Sequence, residues 1–167
     1  NDLLRGHARM AAVFAESSLS EDGELSVLVA ACAVSRLSAD QLTPTARSIN
    51  LDQLQAAMSR QRNDDERDRV SDIEPPTRVE LDAGAAIRLK RLHTQTVAPG
   101  QQLRYYAQSY LVPHDEGRSL CVVQFSTPCL DEASALDELF GAIAATLRIF
   151  QPDDPTDFEG APSGSHA

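Results

Sequence analysis

Tryptophan is absent from the sequence, lysine occurs once, and aromatic residues amount to 5% of 167 residues. With so few rings, aliphatic side chains and alanine must fill the interior. Arginine supplies all but one of the 15 basic residues, which we attribute to GC-rich coding and not to phosphate recognition. Basic charge is itself scarce: 25 acids leave a net charge of -10. Nucleic acid and anionic membrane, both polyanions, are therefore excluded as expected main partners. No apolar run reaches the roughly 18 residues that a membrane-spanning helix needs, so no membrane insertion is expected. No signal peptide is visible either, which points to the cytoplasm, although a chain that starts at Asn1 and not at Met leaves room for a lost N-terminal signal.

Cysteines are few and unpaired in pattern. Cys32, Cys121 and Cys129 are odd in number and lack metal-ligand spacing. Cys32 and Cys121 sit inside apolar runs, where a free thiol behaves as a small hydrophobe. Reduced thiols in a cytoplasmic protein are the plain reading, with a Cys121–Cys129 disulfide as the alternative. The sequence also lacks a glycine-rich phosphate loop, a GxSxG elbow and an HExxH pair. No catalytic residue, metal site or cofactor is expected on these grounds.

The length suits one domain, which we place at residues 1–150. Residues 151–167, QPDDPTDFEGAPSGSHA, hold three prolines, two glycines and four acids and read as a disordered tail. Along the chain, Leu3, His7, Met10 and Phe14 fall on one stripe at helical spacing, predicting a helix over Asp2–Ala15. Glu24–Leu37 is apolar on both faces and valine-rich. It reads as a central strand, with an alanine-rich buried helix as the alternative. Asn50 is a good N-cap, with Gln53 at the capping-box position and Ile49 able to staple onto Leu54. The helix so begun ends in RQRNDDERDR, Arg60–Arg69, read as a solvated helix end or a mobile loop.

Val79 and Leu81 alternate with Arg78 and Glu80, giving a strand within Ile73–Leu81, with Pro75-Pro76 either before it or on a sheet edge. Asp82-Ala83-Gly84 turns the chain into a second arm, Ala85–Thr96. There Ile87 and Leu89 face one way and Arg88 and Lys90 the other, until Leu92 falls on the phase of Arg88. Either a β-bulge resets the register or Arg91 shares the Ile87 face. Pro99-Gly100 leads into a second hairpin. Tyr106, Gln108, Tyr110 and Val112 alternate with Tyr105, Ala107, Ser109 and Leu111, the turn PHDEGR follows, and SLCVVQFSTP returns. A helix follows with Leu136, Leu139, Phe140, Ile143 and Leu147 on one apolar stripe. The expected fold is α+β: a layered sandwich with an antiparallel sheet of about four to five strands flanked by three helices.

Tyr105-Tyr106 before a turn, then LCVVQFSTP leading into an amphipathic helix that ends TLRI, resembles the closing segment of Mog1/PsbP-like domains over the last third of the chain. The resemblance implies a central antiparallel sheet flanked by helices. It also implies a functionally mixed family: a binder of a nuclear-transport GTPase, a photosystem subunit and many bacterial proteins without assigned activity. It brings no catalytic motif. That family often opens with a hairpin, whereas this chain is predicted to open with a helix.

Four groupings bear on function. His114-Asp115-Glu116 has the composition of a base with an orienting acid but sits in a turn. His93 and Cys121 form a thiolate–imidazole pair only if their strands are neighbours facing the same way. Asp131, Glu132, Asp137 and Glu138 on the last helix are expected to be first-turn acids and solvated side chains, not metal ligands. The most suggestive set is Arg88, Lys90, Arg91 and His93 on one strand, with Arg104 and Tyr106 opening the next. It forms a basic strip for an acidic protein or small ligand, or else a solvated face whose charges pair with Glu80 and Asp82. The function expected is a non-enzymatic binding or scaffolding module. A small hydrolase or transferase built from His93, Cys121 and Asp115, and a structural homo-oligomer such as a homodimer, are the alternatives.

Overall fold

The computed structural model describes residues 8–19, 25–39, 48–60 and 68–149. The tail at 151–167 and the start of the expected first helix lie outside the described residues. The elements are β1 (Ala8–Leu19), β2 (Leu25–Ser38), α1 (Leu51–Arg60), β3 (Asp68–Asp72), β4 (Thr77–Leu81), β5 (Gly84–Ala98), β6 (Gln101–His114), β7 (Ser119–Thr127) and α2 (Ala133–Ala145). The strands form one sheet in the order β1-β2-β7-β6-β5-β3, with β4 also on β5. Every pairing is antiparallel.

This overturns the expected count. Seven strands and two helices are seen among the described residues, not four to five strands with three helices. Two misread segments account for the difference. The stripe Met10–Phe14 belongs to strand β1, paired with β2 from Ala8–Ser35 to Leu19–Leu25. Apolar residues at Met10, Ala12 and Phe14 satisfy a period of two as well as a helical stripe, and pairing with β2 decides the matter. The charged run ends in β3, which begins at Asp68 and whose Val70 and Asp72 pair with His93 and Arg91 of β5; residues 61–67 of that run lie outside the described residues. Leu25–Ser38 is a strand, as the first of the two readings of that segment held.

The prolines precede β4, and Gly84 (φ 112) closes the β4–β5 turn. No register shift interrupts β5 between Ile87 and Thr96, so Arg91 shares the Ile87 face and no bulge intervenes there.

A helix lies on each side of the sheet. Asn50 caps α1, its Oδ1 accepting from Asp52 N at 2.7 Å. Leu54 packs with Leu37, Ile87, Leu89, Leu111, Leu120 and Val122, while Ile49, Leu51 and Met58 border that cluster. On the other side Leu136, Phe140 and Ala144 of α2 meet Tyr106, Tyr110, Val112, Cys121, Val123 and Phe125. Phe125 and Phe140 stack with centroids 4.9 Å apart. Burying side chains of this size contributes about 1.5–3 kcal/mol each, so α2 is held mainly by Leu136 and Phe140. Of the predicted stripe, Leu147 packs at the core's margin, but Leu139 and Ile143 are 49% and 47% exposed.

Where β7 ends, side chains take over its contacts with β2. Thr127 Oγ1 donates to Val29 O at 2.7 Å, and Val29 N donates to Cys129 Sγ at 3.4 Å. All three cysteines are free thiols. Among the described residues no helix is long and apolar enough to cross a membrane.

Candidate functional site

The alternation of β5 divides the predicted basic strip between the two faces of the sheet. Arg88 and Lys90 stand opposite Tyr110 and Gln108 of β6, on the α2 side. Arg91 and His93 stand opposite Ala107 and Tyr105, on the α1 side. There Arg91 pairs with Asp72 at 2.7 Å, and His93 is buried and stacked on Tyr105 at 4.7 Å. Arg104 is exposed, opposite Thr94. The six residues therefore do not form one surface.

Arg88, Lys90 and Tyr106 do come together, beneath one flank of α2. Lys90 Nζ lies 2.8 Å from Asp137 Oδ2 and 3.7 Å from Glu74 Oε1. Arg88 Nη2 lies 2.9 Å from the same Glu74 oxygen, and the Tyr106 hydroxyl donates to Asp137 Oδ1. Behind them Gln108 Nε2 donates to Tyr110 Oη at 2.7 Å.

Burial pushes the Tyr106 hydroxyl far above its ordinary value, and donation to Asp137 pushes it further. Burial works to raise Asp137, yet hydrogen bonds from Lys90 and Tyr106 and the charges of Lys90 and Arg88 outweigh it. The carboxyl is held below the usual range. Burial raises Tyr110 too, against the pull of Arg88. The cations are thus neutralised by Glu74, Asp137 and Asp72, not by Glu80 and Asp82. Glu80 faces the other way, opposite Ala85. Asp137, expected in solvent, sits on the flank beside Leu136 and Phe140 and reaches the sheet; Glu138, one residue on, is exposed.

The catalytic groupings do not assemble. His93 is on β5 facing α1, whereas Cys121 is on β7 facing α2 with β6 between them. Burial raises the Cys121 thiol, the wrong direction for a thiolate nucleophile. Asp115 (φ 55) and Glu116 (φ 54) form the β6–β7 turn, where Asp115 pairs with Arg118 at 2.5 Å. Among the described residues no group of three or more His, Cys, Asp or Glu is placed to hold a metal ion.

The opposite flank of α2 is apolar. Because the helix lies over β6 and β7, the wing formed by β2 and β1 is left uncovered on that face. Between them runs a groove of about 240 Å³ whose lining includes Ala12, Phe14, Cys32, Phe125, Leu139 and Ile143. Phe14 is 52% exposed, comparable with Leu139 and Ile143. Sequence reasoning missed this site. Its signal was the second apolar reading of Met10, Ala12 and Phe14, hidden under a helical stripe.

No protein-family model matches the chain. No curated protein matches it either. Among solved structures it is similar to PA94, a protein of unknown function from Pseudomonas aeruginosa, at 10% identity over 85% of each chain with a TM-score of 0.44.

Proposed function

We propose that this chain is a non-enzymatic binding module whose site is the groove between α2 and the β1–β2 wing, receiving an apolar segment of a protein partner. The observation that supports this reading is a contiguous set of large apolar side chains, Phe14, Leu139 and Ile143, left about half exposed around a preformed hollow. Such patches mark binding surfaces more often than chance exposure does. The basic strip is the weaker candidate, since Arg88 and Lys90 already have carboxylate partners. The proposal includes a cytoplasmic setting, which three free thiols favour. It also includes a relation to Mog1/PsbP-like domains, favoured by the β1–β2 hairpin that opens the described fold.

The test uses an apolar fluorophore, 1-N-phenylnaphthylamine, whose emission rises in a dry site. Ile143→Glu is expected to weaken its binding about tenfold, or about 1.4 kcal/mol, with the melting temperature little changed. Ser134→Glu, elsewhere on α2, is the control. Equal affinity of wild type and Ile143→Glu overturns the reading.

A further inference from the structure

The two ends of the sheet are built differently. At one end β3 and β4 are five residues each, read DRVSD and TRVEL, and have Pro75-Pro76 between them. Short, charged, proline-flanked strands resist the addition of another strand. At the other end β1 is 12 residues long and, among the described residues, pairs only with β2. From Met10 to Ala15 it reads MAAVFA, with neither charge nor proline. Among the described residues both of its faces are bare: Met10 and Phe14 on the α2 side, and Val13, 74% exposed, on the other. A long, apolar, unguarded edge is a template for another strand.

We propose that β1 pairs antiparallel with β1 of a second copy, across a two-fold axis perpendicular to the sheet, making one continuous sheet from two. The edge calls for a strand apolar on both faces, and β1 is itself such a strand. The axis keeps each face on its own side, so residues of equal parity stand opposite one another. Centred on Ala12, Met10 faces Phe14 of the second copy and Ala11 faces Val13. Centred on Val13, the two valines meet and Ala12 faces Phe14. The segment Met10–Ala15 carries no charge in either register, and the charges of β1, Arg9 and Glu16, fall toward the margins of the seam. The chain's own residues 150–167 are a poor substitute, because Pro152, Pro155 and Pro162 lack the N–H that a ladder requires. The pairing sets the two grooves on one face, on either side of the seam.

Sedimentation equilibrium of the full chain up to 100 µM, together with hydrogen exchange of the β1 amides, tests this. The expected mass is twice the 18.1 kDa of one chain, with β1 amides protected increasingly at higher concentration. Ala11→Lys combined with Ala15→Lys, both exposed in the single chain and off the groove lining, places lysines of the two copies opposite or diagonal to one another. The double variant is expected to keep its circular dichroism and dye binding while the dimer dissociation constant rises at least tenfold. A wild type that stays at 18.1 kDa, or a dimer indifferent to both lysines, overturns the proposal. Because dye binding is read separately, the groove stands or falls on its own result.

Discussion

Lys90 Nζ lies 2.8 Å from Asp137 Oδ2, joining a sheet strand to a helix through two residues 47 positions apart. The same carboxylate accepts from Tyr106, so one helix side chain fixes two strands. Asp137→Ala leaves Lys90 with only the longer contact to Glu74 at 3.7 Å and the Tyr106 hydroxyl without that acceptor. A loss of about 2–3 kcal/mol is expected in urea denaturation, against about 1.5 kcal/mol for Tyr106→Phe. Combining Asp137→Leu with Lys90→Met should recover much of the loss, because no charge is then stranded. A double variant as unstable as the sum of the singles counts against the pairing.

Two titrations act in separate pH windows. Burial lowers the His114 pKa below 6.5, with Arg36 adding to it and Asp115 opposing. A folded pKa below the unfolded one favours the neutral form. Its contribution is therefore present above pH 6.5 and lost as pH falls through the folded value. Asp137, depressed from 3.8, contributes above that value and loses its contribution only at lower pH. His114→Asn should flatten the stability profile below pH 6.5 and leave the acid limb unchanged, as measured by melting temperature against pH.

Phe140 and Leu139 are neighbours in sequence but differ in surroundings. Phe140 is 2% exposed and stacked on Phe125, so Phe140→Ala should cost about 3–4 kcal/mol. Leu139→Ala, on the groove wall, should cost less than about 1 kcal/mol while weakening fluorophore binding. Equal costs in chemical denaturation would place the helix stripe differently from the arrangement described.

Gly117 and Gly84 separate crowding from backbone strain. Both have positive φ, 80 and 112, but a Cβ on Gly117 would meet Ile49 O at 2.7 Å while one on Gly84 meets nothing within 4 Å. Gly117→Ala should therefore destabilise more than Gly84→Ala, by about 1–3 kcal/mol beyond it. Thermal melts of the two variants decide this.

What was legible in the sequence was local. Asn50 announced its helix, Gly84 and Gly100 their turns, and the alternation from Tyr105 to Val112 its strand. What was hidden depended on residues far apart. β1 satisfies two periodicities, and only β2 selects between them. β3 has one apolar residue and is defined by the ladder to β5, with the Arg91–Asp72 ion pair beside it. Alternation did assign Arg88 and Lys90 to one face, but nothing local named Asp137 as their cover. The groove was hidden because Leu139 and Ile143 repeat at the same spacing as buried Leu136 and Phe140. A stripe wider than the surface it meets leaves its margin outside.

The β1–β2 hairpin is attached along one line. Among the described residues β1 pairs with β2 alone, and the β2 ladder to the rest of the sheet is eight residue pairs with β7, from Ala31–Ser126 to Ser38–Ser119, extended by the bonds of Val29 to Thr127 and Cys129. A pull on the amino end would load that line one pair at a time, so the hairpin should peel away as a unit while the helices and the remaining strands hold. Under force, this molecule should come apart at its seam before it unfolds at its centre.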